Sequence, residues 1–325
     1  MSVVSRIRGH LWTLGPAVRW MIQPPQPSTQ HRWSATIEDE RGHPIEITGE
    51  LMEVDTGAHE DTLVVMIHGL GGSAHSHYLV DAAMQCAERG WSSLRISLRG
   101  VDSSTQDIYH AGLTHDLRAL LAHDSLARWK HLFLVGYSLG GHMVTRYATE
   151  QDHDPRVRGV CALCAPLDLS NVIHHIDSPR AWLYREYVLG ALREHHARMV
   201  AHGQGVAPHF KVKRVKKLRE FDALVIAPRY GFASPEAYYQ EVGVQSRIEQ
   251  IALPLLYVGS VADPMIPSEM GRRVLARAPS DLVDIRWLDD GGHVYFPPGR
   301  DLDLGDDLGV IPQVLQWFAR TCPAA

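Results

Sequence analysis

The five residues Gly136-Tyr137-Ser138-Leu139-Gly140 constrain this chain more than any other stretch. They follow the apolar run His131–Val135, and a helical pattern of Met143, Val144, Tyr147 and Ala148 comes after them. A strand that turns straight into a helix with serine at the apex strains the backbone there, so the flanking residues must be small. The helix start adds the positive end of its dipole beneath the hydroxyl. Gly-x-Ser-x-Gly recurs by chance, so its weight depends on this context and on partners elsewhere in the chain.

The rest of the chain alternates in the same way. Arg32–Ile37 and Ile45–Leu51 read as a hairpin around Arg41-Gly42, and Leu63–Ile67, Leu94–Leu98 and Val157–Ala165 read as buried strands. Helical patterns cover Tyr78–Arg89 and Thr114–His123. Strands resume at Leu255–Gly259 and Val283–Leu288, and a last helix covers Val310–Arg320. Apolar strands alternating with helices predict an α/β fold with a mostly parallel central sheet covered on both faces. Between Leu167 and Gln245 the rhythm gives way to charged helical sequence, which predicts a helical lid inserted over the carboxyl edge of the sheet. The expected organisation is an N-terminal segment (1–30) packing on the core, a first core part (31–166), the lid (167–245) and a second core part (246–325).

Composition narrows the function. A net charge of −5 gives no reason to expect a nucleic-acid partner. Cys86, Cys161, Cys164 and Cys322 are too few and scattered for a disulfide framework, and Cys161-x-x-Cys164 sits in an apolar run, so it reads as buried thiols. Val3–Trp20 lacks the uninterrupted apolar core of a signal sequence and reads as an amphipathic helix packing on its own domain. A cytoplasmic location is the expectation.

A serine hydroxyl needs a base and an orienting acid, in the chain order serine, acid, histidine. Asp263 lies in a proline-stiffened turn after Leu255–Gly259, where such a carboxylate belongs, although Asp-Pro is also a plain turn former. His293 follows Gly291-Gly292 at the next strand end, where a tight loop swings the imidazole over the sheet edge. Asp289 and Asp290 compete for the acid role from the histidine's own loop. The glycines of Ile67-His68-Gly69-Leu70-Gly71-Gly72 let the main chain approach a substrate, so the N–H groups of Leu70 and Leu139 are the expected oxyanion donors. A phosphate-cradling loop is the alternative, but no lysine follows at the spacing it needs. No cofactor or metal is expected.

Together these motifs resemble the YheT-like family of α/β-hydrolases, which includes ABHD1/ABHD3-type lipases and yeast acyl-ethanol esterase/transferases. The resemblance rests on His10-Leu11-Trp12-Thr13, His68–Ser73, Arg99-Gly100, Tyr109–Asp116, Glu220-Phe221-Asp222, Ala227-Pro228, Gly231-Phe232, Tyr238-Tyr239 and Gly291-Gly292-His293. It implies an α/β-hydrolase fold and a serine carboxylesterase or acyl-lipid hydrolase with Ser138, Asp263 and His293 as its triad. Departures from the family pattern are Gly71 for glutamate, Val101-Asp102-Ser103-Ser104 without a second glycine, Trp12 for glutamine and Tyr295 for glycine. They bear on substrate size and pocket access.

The expected substrate is a small-molecule or lipid ester. An acyltransferase using the same acyl-enzyme, and a non-catalytic binding module on a hydrolase scaffold, are the other classes; the latter should lack a triad member, and none is missing. Within the lid, Lys211–Arg219 is densely basic with Val212, Val215 and Leu218 spaced by three. It reads as a solvated helix face, or as an amphipathic helix making weak peripheral membrane contact. Trp182, Tyr184, Tyr187 and Phe210 are expected in the lid's own core, some lining an acyl pocket.

Overall fold

The structure is a computed structural model that describes residues 3–22, 30–55, 57, 59–102 and 107–321. Cys322, Ser103, Ser104 and part of the 1–30 segment lie outside the described residues.

Helix α1 (Val3–Ile22) leads into β1 (Gln30–Glu38) and β2 (Pro44–Met52), an antiparallel hairpin closed around Arg41-Gly42. The chain continues through β3 (Thr62–Ile67), α2 (His77–Ala87), β4 (Ser92–Ser97), α3 (Thr114–Leu121), β5 (His131–Tyr137), α4 (Leu139–Ala148) and β6 (Val157–Leu163). After the helices α5 to α10 come β7 (Leu255–Ser260), α11 (Ser268–Leu275), β8 (Val283–Leu288) and α12 (Val310–Thr321). One eight-stranded sheet runs β1-β2-β4-β3-β5-β6-β7-β8, parallel from β4 to β8, with the hairpin antiparallel at one edge. Helix α11 has no counterpart in the sequence reading, although its eight residues are strongly amphipathic, with Val274 and Leu275 buried on one side.

Side-chain alternation along the strands explains the two cores. Leu63, Val65, Leu132 and Leu134 face Leu117, Leu120, Met143 and Val144 of α3 and α4. Their neighbours Val64, Met66, Phe133 and Val135 face Leu79 and Ala83 of α2 and Val314 and Phe318 of α12. Both sides of β3 are therefore dry, and every residue of that strand is buried.

The segment between β6 and β7 holds α5 (Leu169–Ile176), α6 (Trp182–Ala201), α7 (His209–Val212), α8 (Leu218–Phe221), α9 (Ala227–Tyr230) and α10 (Pro235–Val242), with a π-turn at Asp222–Ile226. A buried ion network fastens it to the core. The Arg99 guanidinium is 2% exposed and donates to Asp116 and to Asp107 (3.2 Å), and Arg229 donates to the other Asp107 oxygen at 2.7 Å. His195 on α6 meets the Asp107 carbonyl at 2.9 Å, and a Cβ on Gly100 would stand 2.0 Å from that same carbonyl. Tyr238 on α10 accepts a hydrogen bond from the Ala111 N–H at 3.0 Å. Arg99, Gly100, Ala111, Asp116 and Tyr238 of the family pattern thus belong to the contacts that anchor this segment.

Two expectations need correction. Lys211–Arg219 is not one helix: the chain is extended at Lys217, and the Asp177 carboxylate receives the N–H groups of Leu218 (2.7 Å) and Arg219 (3.1 Å), which restarts the helix there. Val212, Val215 and Leu218 are buried, so only the charges of this stretch face outward. Of the four aromatics expected in the core of this segment, only Tyr184 is buried, and Trp182, Tyr187 and Phe210 are more than half exposed; Tyr184 and Tyr187 do line the cavity beside Ser138, as expected of some of them.

Candidate active site

Ser138 sits between β5 and α4 with φ 52° and ψ −115°, in the left-handed region that a residue with a Cβ rarely adopts. The flanking glycines follow from space. A Cβ on Gly136 would lie 2.1 Å from the Gly140 carbonyl oxygen, and one on Gly140 would lie 2.3 Å from that of Ile67. The Ser138 N–H is held by the Leu163 carbonyl of β6 at 2.8 Å.

Asp263, on the loop after β7, is fixed at both oxygens. Oδ1 accepts from the N–H groups of Met265 (2.8 Å) and Ile266 (3.0 Å), and Oδ2 stands 2.8 Å from His293 Nδ1. His293 Nε2 stands 2.9 Å from Ser138 Oγ. With Nδ1–H donated to the carboxylate, the lone pair of Nε2 faces the serine hydroxyl, which donates to it. The three sequence-predicted side chains are therefore brought together. Asp290 is not: its carboxylate accepts from the Gly291 N–H and pairs with Arg8 at 3.8 Å. Cys164 lies beneath, its Sγ within 4.8 Å of the Asp263 and His293 atoms. Burial, and then the Asp263 charge, push its thiol well above the usual range, so the thiol stays protonated. Asp263 and His293 already engage each other, so this trio is a satisfied cluster rather than an open metal site.

The loop after β3 carries the expected oxyanion donors. His68 accepts the Leu98 N–H on Nε2 (3.0 Å) and therefore donates from Nδ1 to the Gly69 carbonyl (2.7 Å). Burial lowers its pKa to about 4, which keeps that tautomer neutral. The hydroxyls of Tyr78 and Tyr109 accept the N–H groups of Gly69 (2.9 Å) and Gly71 (2.7 Å). Leu70 sits between these tied donors. Among the described residues, neither the Leu70 nor the Leu139 N–H donates to a protein acceptor. Both residues line the same cavity as Ser138 and His293.

Sequence reasoning missed the part α1 takes in the site. A Cβ on Gly9 would stand 1.9 Å from the Ala262 carbonyl oxygen, and one on Gly292 would stand 2.4 Å from the Thr13 nitrogen. The helix therefore lies directly on the loops that carry Asp263 and His293. Thr13 Oγ1 accepts the His293 N–H at 2.8 Å and donates to the Gly9 carbonyl at 2.7 Å. His10 Nδ1 reaches the Tyr184 hydroxyl at 2.5 Å, which ties the same helix to α6. The family-like His10–Thr13 run was the available signal. Two departures from the family pattern also meet here: the Trp12 and Tyr295 rings stack with centroids 6.4 Å apart.

Ser138 opens onto a cavity of about 580 Å³ between the sheet edge and α5 and α6. Leu169, Val172, Ile176, Val188 and Leu192 make its wall apolar. That size and lining suit an acyl chain.

A family model described as serine aminopeptidase, S33 (Hydrolase_4) matches residues 58–296. YheT of Escherichia coli, which carries an esterase designation, is 30% identical over 74% of this chain and 72% of its own length. The medium-chain fatty acid ethyl ester synthase/esterase 2 of Saccharomyces cerevisiae is 26% identical over 83% of this chain, which spans 64% of that longer relative. Among solved structures, the α/β hydrolase GrgF from Penicillium sp. sh18 superposes with a TM-score of 0.55 at 17% identity, over 90% of this chain and 99% of that one. The chain belongs to the YheT/ABHD-type family of α/β-hydrolases, an esterase and lipase family.

Proposed function

We propose that this α/β-hydrolase cleaves acyl esters through an acyl-enzyme on Ser138. Asp263 fixes the tautomer of His293 and stabilises the imidazolium; His293 takes the Ser138 proton as Oγ attacks the ester carbonyl. The Leu70 and Leu139 N–H groups receive the oxyanion. Such donors typically contribute about 3 kcal/mol each to transition-state stabilisation. His293 then protonates the leaving alcohol and draws a proton from the water that releases the acid. The observation that carries this reading is the hydrogen-bonded run Asp263–His293–Ser138 at the wall of an apolar cavity.

The helices between β6 and β7 act as a lid in this scheme, and the acyl chain lies beneath α5 and α6. Carboxylic esters with aliphatic acyl groups are the substrate class, in keeping with the fatty acid ethyl esters in the yeast relative's name. The apolar, covered cavity also favours a second outcome, in which an alcohol rather than water takes the acyl group. The test is a panel of nitrophenyl esters of increasing acyl length, run on the native protein and on Ser138→Ala, with added ethanol to read the ratio of ethyl ester to free acid. Turnover should peak at one chain length and vanish in the variant. Full turnover by Ser138→Ala would sink the assignment.

A further inference from the structure

Helix α1 is amphipathic in an unusual sense. Its inward face, with Gly9 buried and Trp12, Thr13, Pro16 and Trp20 half-buried, lies on the protein. At about 100° per residue, Val4, Ile7, Leu11 and Leu14 fall on the opposite side, within a strip less than a third of the circumference wide. That strip is bare: Val4 is 61% exposed, Ile7 55%, Leu11 64% and Leu14 40%. Arg6 lies on one flank and Arg8 and Arg19 on the other, and the helix contains no aspartate or glutamate.

The strip also runs into the mouth of the cavity. Leu14 lines that cavity together with Leu183 and Tyr187 of α6, which are 44% and 70% exposed. On the far flank, Arg8, Leu11 and Arg19 border a second open groove. The helix therefore stands as a ridge with an apolar crest, basic shoulders and the substrate entrance at its side. No helix among the described residues is long and apolar enough to cross a membrane.

We propose that the crest of α1 docks in the plane of an anionic lipid surface, with Arg6, Arg8 and Arg19 at the headgroups and Val4, Ile7, Leu11 and Leu14 among the acyl chains. Leu14, Leu183 and Tyr187 then bring the cavity mouth to the surface, so a lipophilic ester passes from lipid to Ser138 without crossing water. The proposal rests on the acyl-ester reading above and assigns where such a substrate comes from. Charge favours lipid over a second copy of the chain. Crest-to-crest pairing would bring Arg6 and Arg19 of two copies together with no carboxylate on either helix to offset them, Arg8 alone being paired, with Asp290 at 3.8 Å. The basic stretch Lys211–Arg219, whose apolar side is buried, adds only charge to such a contact.

The experiment is sedimentation of the full chain with vesicles of phosphatidylcholine alone or with a quarter phosphatidylglycerol, beside hydrolysis of a water-soluble acetyl ester. The native chain should sediment with the anionic vesicles and largely remain in solution with the neutral ones. Ile7→Ser/Leu11→Ser should weaken that partition roughly tenfold while leaving soluble-ester turnover unchanged, which certifies that α1 is still seated. Arg6→Gln/Arg19→Gln should remove the preference for phosphatidylglycerol. Absence of binding by the native chain, equal binding by the serine variant, or a dimer in solution that Leu11→Ser splits would overturn the proposal. Should the serine variant lose soluble-ester turnover, Leu11→Trp with brominated lipids decides: emission quenched relative to the native chain supports docking, and unquenched emission refutes it. Failure of the native chain on every ester would strike the ester reading alone, since vesicle binding is measured without turnover.

Discussion

Replacing Thr13 by valine tests whether α1 belongs to the catalytic apparatus. Valine keeps the shape of threonine and removes the one oxygen that accepts the His293 N–H at 2.8 Å. The lost bond leaves a partly buried N–H without its acceptor, which costs about 1–3 kcal/mol. The cost falls on the loop conformation that places His293 Nε2 2.9 Å from Ser138 Oγ. At about 1.4 kcal/mol per tenfold, the aligned conformation should lose between roughly fivefold and 100-fold in relative population. The expected result is a fall in kcat of that order with KM nearly unchanged, because the acyl wall of Leu169, Val172 and Val188 is untouched. Thr13→Ser retains the oxygen and should restore most of the rate. Steady-state kinetics with a soluble nitrophenyl ester measure both constants, and the rate of fluorophosphonate labelling of Ser138 should fall in parallel with kcat. A melting curve checks that the assay temperature lies well below unfolding. If Thr13→Val keeps kcat within about twofold, or if the serine variant is no better than valine, the Thr13 hydroxyl does not position His293.

Two further outcomes follow from buried charge. Asp222 is buried with its Oδ2 2.5 Å from the Tyr239 hydroxyl, and burial raises its pKa to about 7. Its protonated form is favoured in the folded chain, so the stability it contributes is complete below about pH 4 and is lost as pH rises towards 7. Asp222→Asn should therefore gain on the native protein between pH 5 and pH 8, by up to a few kcal/mol; a melting difference that does not move with pH would contradict this. Arg99→Met should destabilise the fold by about 3–5 kcal/mol, because it leaves the buried Asp116 carboxylate without its cation and Asp107 with Arg229 alone. Denaturant titration reads that loss, and limited proteolysis should cut first between β6 and β7, the segment that the Asp107 contacts hold down.

The parts of this molecule that were readable in its residues are those set by local physics. Val64, Val65 and Met66 announce a strand buried on both faces whatever surrounds them. Ser138 between two glycines announces its turn because a Cβ at either neighbour strikes backbone only a few residues away or on the adjoining strand. The unread parts depend on segments distant in the chain. Lys211–Arg219 looks like one helix until the Asp177 carboxylate, from the end of α5, caps a new start at Leu218. Trp182 and Phe210 look like core residues by type, and only the course of α6 and α7 leaves them in solvent and Tyr187 at the cavity mouth.

The candidate site divides along the same line. Residue types and spacing alone placed a serine, an aspartate and a histidine after three strands of one sheet, here β5, β7 and β8, and a parallel sheet delivers its carboxyl ends to one edge. The sequence favoured Asp263 over Asp290 as the partner of His293 by its place after a different strand. In the tertiary structure the loop after β7 turns the second Asp263 oxygen to the imidazole, whereas Asp290 is turned to the Gly291 N–H and Arg8. Only the tertiary structure placed α1 across both loops, some 250 residues away in sequence (Thr13 to Asp263), through contacts between backbones at Gly9 and Gly292. Contacts of that kind need room more than any particular side chain, and a glycine in a sequence does not say what will come to lie against it.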